Sequence, residues 1–205
     1  MNFLAHIYLA RHSDAAMVGA LLGDFAKADV SGRYPPEVVR EIVLHRRIDA
    51  FTDNHAIFRQ GVALFAPGRR RYAGIVLDVF YDHLLSQRWA RYTGEPREAL
   101  IARFYQALLA HAPLLPDKLR EIAPWMVEQD WLGSYLELEG VELAVRRISQ
   151  RLSRNGYLLR EGLDDVRANY DALATGFEVF FPELVTFAER ERVALIQAEG
   201  PAERV

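Results

Sequence analysis

The sequence predicts an all-α fold, a single-domain helical bundle over residues 1–205. Apolar residues recur at helical spacing along almost the whole chain, and alternating strand-like patterns are scarce. With 205 residues, 51% of them apolar and 26% charged, the chain is long and apolar enough to bury a sizeable core and is not disordered.

The elements follow in order. Ser13-Asp14 predicts a helix cap, with the helix running through Met17, Val18, Leu21 and Leu22 to Gly23-Asp24-Phe25. Pro35-Pro36-Glu37 suits a first turn, and Val38, Val39, Ile42, Val43, Ile48 and Phe51 form the stripe behind it. After Pro67-Gly68, the arginines Arg69-Arg70-Arg71 open a segment that leads to Leu84 and Leu85. Gly94-Glu95-Pro96 is the next break. Leu100, Phe104, Leu108 and Leu109 form a further stripe, and Leu119, Ile122, Trp125 and Met126 another around Pro124. Asp130 to Gly133 reads as a turn or short helix. Two last helices are expected, Val141 to Leu152 and Leu163 to Phe181, separated by Asn155-Gly156. The stripe of Phe177, Phe180, Phe181, Leu184 and Phe187 reads as core packing.

Several function classes drop out. The chain has no cysteine, so disulfides, cysteine nucleophiles and thiolate metal sites are excluded. A net charge of −3 gives no electrostatic case for nucleic-acid binding. There is no secretory start and no apolar run near the roughly 18 residues of a membrane span, so a cytoplasmic protein without membrane contact is expected. Neither a Gly-rich phosphate loop nor a Gly-x-Ser-x-Gly elbow is present.

What remains is an uneven distribution of histidine and aspartate. Five of the six histidines precede residue 84, interleaved with Asp14, Asp24, Asp29, Asp49, Asp53, Asp78 and Asp82. On a helix His45 and Asp49 share a face, as do Asp49 and Asp53, and Asp78 and Asp82. Two carboxylates one turn apart repel unless a cation or proton lies between them, and aspartates among apolar residues are costly unless paired or bound to metal. Mixed imidazole and carboxylate donors suit divalent ions such as Mn, Fe, Zn or Ni. The alternative for each pair is a simple helix-face contact, with Arg46 or Arg47 neutralising the aspartate. A divalent ion would support hydrolysis by lowering the pKa of bound water.

Four blocks carry a resemblance. Met1-Asn2-Phe3-Leu4-Ala5-His6, Gly23-Asp24-Phe25, the run from Leu44 to His55 and the run from Gly74 to His83, with Trp89, resemble the acyl carrier protein phosphodiesterases. The resemblance implies an all-helical relative of the HD-domain metal phosphohydrolases. It implies hydrolysis of the phosphodiester joining 4′-phosphopantetheine to a serine of acyl carrier protein, with manganese, or magnesium or another divalent ion, as cofactor. The order Asp82-His83, rather than His-Asp, prevents transfer of HD-domain ligands by motif alone.

Spacing and resemblance together make Asp24, His45, Asp82 and His83 the expected metal ligands, with His6 and Asp49 as further ligands or orienters. Asp78 is the expected proton acceptor or its orienter. Arg46 is the expected holder of the phosphodiester, since its planar fork matches phosphate oxygens; its alternative is an ion pair with Asp49 or Asp53. Because carrier proteins are acidic, Arg69, Arg70 and Arg71 are the expected docking cations, followed by Arg146-Arg147 and the region of Lys27. Two rival readings are a phosphohydrolase acting on a nucleotide or other small phosphodiester, and a helical binding module without catalysis.

Overall fold

Ser13 and the Pro35-Pro36 pair start two helices where their chemistry allows it. The Ser13 hydroxyl accepts from the Ala16 N–H, and Pro36 occupies the first turn of the second helix. The computed structural model describes residues 1–27, 30 and 32–199, so Asp29 and the end of the expected 1–205 domain lie outside the described residues. Among the described residues there are ten α-helices and no strand. In order they are α1 (Phe3–Leu9), α2 (Asp14–Leu22), α3 (Pro36–Asn54), α4 (Ala56–Ala63), α5 (Arg70–Gln87), α6 (Arg97–Ala110), α7 (Asp117–Glu128), α8 (Leu138–Arg151), α9 (Gly156–Ala168) and α10 (Tyr170–Ala198). A short 3-10 turn at Gly133–Leu136 leads into α8.

Helix α5 is buried almost all round from Val76 to Ser86, as expected of a helix at the centre of a bundle. The aromatic stripe of α10 packs on it: Tyr81 lies 5.2 Å from Phe177 and 5.6 Å from Phe180, ring centre to ring centre. Phe177, Phe180, Phe181 and Leu184 are fully buried, and truncating one such Phe to Ala typically costs about 3–5 kcal/mol. One hydrophobic cluster runs from Met1 to Ala188. Helices α2 and α3 approach closely because Gly19 has no side chain; a Cβ there would lie 2.8 Å from the Val38 carbonyl oxygen.

The expected helix from Leu163 to Phe181 is two helices. The chain breaks at Asn169, whose amide nitrogen donates to the Asp165 carbonyl and closes α9, while α10 continues to Ala198. Asparagine competes for local carbonyls in this way and favours helix ends. At the other end of α3, His55 leaves the helical conformation and its Nδ1 accepts from the Ile57 N–H, which starts α4. No helix of the described residues is long and apolar enough to cross a membrane.

Candidate metal centre

His45 and Asp49 lie one turn apart on α3, and His6 reaches them from α1. Donor atoms of His6, His45 and Asp49 all lie within 4.8 Å of one another, the geometry of a group that could hold a metal ion. The His6 and His45 rings stack at 3.8 Å between centres. His6 Nε2 is 3.1 Å from Asp49 Oδ1, and His45 Nε2 is 3.1 Å from Asp49 Oδ2, so one carboxylate bridges both imidazoles. Asp24, on the turn after α2, brings Oδ1 to 3.6 Å from His45 Nε2.

The orientation of His45 is imposed by the backbone. Its Nδ1 is 2.7 Å from the Ala20 carbonyl oxygen, which can only accept, so Nδ1 carries the hydrogen and Nε2 faces the carboxylates. The ring rests on Gly23, where a Cβ would come within 2.1 Å of the imidazole. Glycine is therefore required ahead of Asp24.

Charge in the cluster is balanced by a group that no motif advertises. The Met1 ammonium is buried, 3.1 Å from Asp49 Oδ1 and 3.2 Å from Asp78 Oδ1. Burial opposes that charge, but Asp78 and Asp49 outweigh it and push the amine up to about 11. Burial also opposes charge on His45, yet Asp24 and Asp49 hold it up at about 9. His6 goes the other way: burial, then the neighbouring His45, bring it down to about 4, and it stays neutral. For Asp49, burial is overcome by His45, His6 and the ammonium, which hold the carboxyl well below the usual range. Burial raises Asp78.

This donor set fits a divalent cation. A neutral His6 and an ionised Asp49 offer imidazole and carboxylate donors, and His45, its Nδ1 fixed on the Ala20 carbonyl, would join them through Nε2 once an incoming cation displaces the proton there. His6 Nδ1 is buried without a hydrogen-bond partner, a costly state for a polar atom in a core.

The other expected ligands have different partners. Asp82, fully buried, accepts from the Leu4 N–H at 2.8 Å and the Ala5 N–H at 2.9 Å, closing the first turn of α1. Burial pushes it up to about 7 against those two donors. His83 places Nδ1 at 3.0 Å from the Tyr135 carbonyl oxygen and Nε2 at 3.1 Å from the Tyr170 hydroxyl. Neither joins the His6, His45 and Asp49 group. Arg46 donates to the Lys27 carbonyl at 2.8 Å, tying α3 to the backbone just beyond Asp24. Arg69 grips Asp165 through two bonds of 2.6 and 2.8 Å, which fixes the start of α5 to α9, and Arg70 donates to the Phe65 and Ala63 carbonyls. Arg71 remains exposed beside the Tyr72 ring.

The family model described as "Acyl carrier protein phosphodiesterase" matches residues 1–184. The chain belongs to that family. A relative of that name from Klebsiella pneumoniae is 33% identical over 194 residues, covering 94% of this chain and 100% of the relative. Another, from Salmonella dublin, is 34% identical over 192 residues, covering 93% of this chain and 99% of the relative. No solved structure matches the chain. In this member of the acyl carrier protein phosphodiesterases, His6, His45 and Asp49 meet within 4.8 Å, and Asp24 comes to 3.6 Å from His45. The Met1 amine and the Ala20 carbonyl were not foreseeable from side-chain types, since both are backbone groups placed by tertiary packing.

Proposed function

We propose that this chain hydrolyses the phosphodiester between 4′-phosphopantetheine and a serine of acyl carrier protein, in the cytoplasm, giving apo carrier and free 4′-phosphopantetheine. The observation that carries the proposal is the convergence of His6, His45 and Asp49 within 4.8 Å in a chain of this family. A divalent ion, manganese first and magnesium second, would be held by these three residues with Asp24. When bound, it would lower the pKa of bound water and neutralise charge on a phosphoryl oxygen.

The chain's own groups have distinct parts in this reading. The Ala20 carbonyl and Gly23 orient His45. Asp82 fixes the first turn of α1 and with it His6, which lies just beyond Ala5. Asp78, raised by burial, is the candidate to take a proton from the attacking water. Arg46, anchored beside Asp24, is the candidate to hold the phosphodiester. Arg71 and Arg70 remain the candidates of the arginine run for meeting an acidic carrier, and Arg69 serves the fold.

Incubation with holo carrier protein and Mn, followed by intact mass, tests the proposal. The expected result is loss of the phosphopantetheine mass by the wild type and its retention with His45→Ala of unchanged helicity. Persistence of holo carrier with folded, Mn-loaded wild type overturns it, and release of phosphate from a free nucleotide in the same assay supports the rival phosphohydrolase.

A further inference from the structure

A narrow slot lies beneath α8, against the 3-10 turn at Gly133–Leu136. Phe3, Trp131, Tyr135, Ala144 and Ile148 supply its apolar wall, and Arg147 also lines it. The Arg147 guanidinium lies 4.6 Å from the Trp131 ring centre and donates to Gln129. The slot is tight, with about 50 Å³ free to the centre of a water molecule, which suits the unbranched thiol-bearing half of a pantetheine arm and leaves a branched gem-dimethyl carbon to the wider groove beside it.

It opens into a groove that shares Asn2, Phe3, Ile148 and Arg151 with the slot and adds Asp24, Phe25 and Lys118. Asp24 belongs to the candidate metal centre. Phe3 is two residues from Met1, whose ammonium touches Asp49, so the backbone at the slot wall is within about 7 Å of the backbone at Met1. Arg151 and Lys118 are exposed and stand at this groove, where an anionic substrate approaching Asp24 would meet two cations.

Resting on the function proposed above, we infer that this slot seats the pantetheine arm of the substrate, phosphate end towards Asp24 and thiol end against Trp131 and Tyr135. The chemistry matches. Pantetheine is a thin chain of methylenes, a gem-dimethyl group and two amides, neutral along its length. Aromatic and aliphatic walls cover the hydrocarbon. Asn2, hydrogen-bonded to the Tyr135 hydroxyl at 2.9 Å, and the Ser134 hydroxyl offer polar partners to the amides.

Two variants change the slot in opposite senses: Ala144→Phe fills it and Trp131→Ala removes a wall. Binding of free pantetheine is followed by calorimetry with the Mn-loaded full chain, and turnover by release of phosphopantetheine from holo carrier. Pantetheine affinity and kcat/KM on holo carrier should both fall by about tenfold or more in each variant that keeps the wild-type melting profile. Inorganic phosphate serves as the second probe, and its affinity should not follow the slot variants. Wild-type turnover with both variants equal to wild type in kcat/KM and pantetheine affinity overturns the inference and leaves the function standing. Absent wild-type turnover, with pantetheine binding lost in the variants, overturns the function and leaves the slot.

Discussion

Two stretches of this chain look alike in sequence and behave differently in space. The run His45 to Asp49 on α3 sets an imidazole and a carboxylate one turn apart, and the run Asp78 to His83 on α5 sets two carboxylates one turn apart with an imidazole next to the second. On α3 those groups face each other and His6 from the neighbouring helix, with Asp49 shared between two rings. On α5 the carboxylate of Asp82 is occupied by two backbone N–H groups and the ring of His83 by a carbonyl and a hydroxyl. The difference teaches that residue type and spacing nominate a ligand, whereas the partners of its lone pairs decide its part.

The sharpest way to break the comparison is to remove one member from each stretch. Asp49→Ala should eliminate Mn-dependent turnover, a loss larger than the roughly 100-fold that follows from disturbing a group behind a metal ligand. Mn affinity, measured by calorimetry, should fall with it. If Asp49→Ala retains both turnover and Mn binding, the cluster is not a metal centre. Asp82→Ala acts first on the fold, because it leaves the Leu4 and Ala5 N–H groups without acceptors in a buried place. It should cost about 1–3 kcal/mol in chemical denaturation. An Asp82→Ala protein as stable as wild type, yet unable to bind Mn, would move Asp82 from the fold into the centre.

The arginine run draws the same contrast at the surface, with smaller effects. Arg69→Gln should lower stability measurably in chemical denaturation through loss of its bonds to Asp165, and leave KM for holo carrier unchanged. Arg71→Glu should leave stability unchanged and raise KM in low salt, an effect that fades as ionic strength rises. A KM that responds to Arg69→Gln at constant stability reverses the assignment.

Helix class and most boundaries were legible because caps, prolines and 3.6-residue periodicity act locally. Ser13, Pro36 and the break at Gly94 did what their chemistry predicts. The break at Asn169 was hidden inside a continuous apolar pattern, since Leu163, Val166, Leu173 and Phe177 all face the core from two different helices. In the site, the His45–Asp49 pair was legible from a four-residue spacing. No local rule pairs His6 with His45, which lie far apart in sequence on α1 and α3, so their convergence was not legible from spacing. The Met1 ammonium and the Ala20 carbonyl are backbone groups that every chain possesses, and nothing in residue type says where packing will put them.

The finest test of the contrast is the pH dependence of stability at His83. Burial holds its pKa below the ordinary 6.5, so the unfolded chain takes up a proton that the folded chain resists. The sign follows: the unfolded state binds more protons as pH falls, and the contribution of His83 is fully present above about pH 7.5 and is lost on acidification through 6.5 towards its lower folded value. One proton sets the limit of the slope, about 1.4 kcal/mol per pH unit. His6 acts in the same sense at lower pH, with its folded value near 4, so the comparison must be between wild type and His83→Gln rather than within wild type alone. Gln keeps a donor for the Tyr135 carbonyl and removes the titration. Denaturation of the metal-free proteins from pH 8 to 5.5 should show the stability of wild type falling relative to that of His83→Gln, whatever Asp82 and His45 contribute equally to both. Parallel curves would mean that the His83 imidazole is protonated as easily in the fold as outside it, and that its bonds to Tyr135 and Tyr170 do not hold it in the structural role that separates α5 from α3.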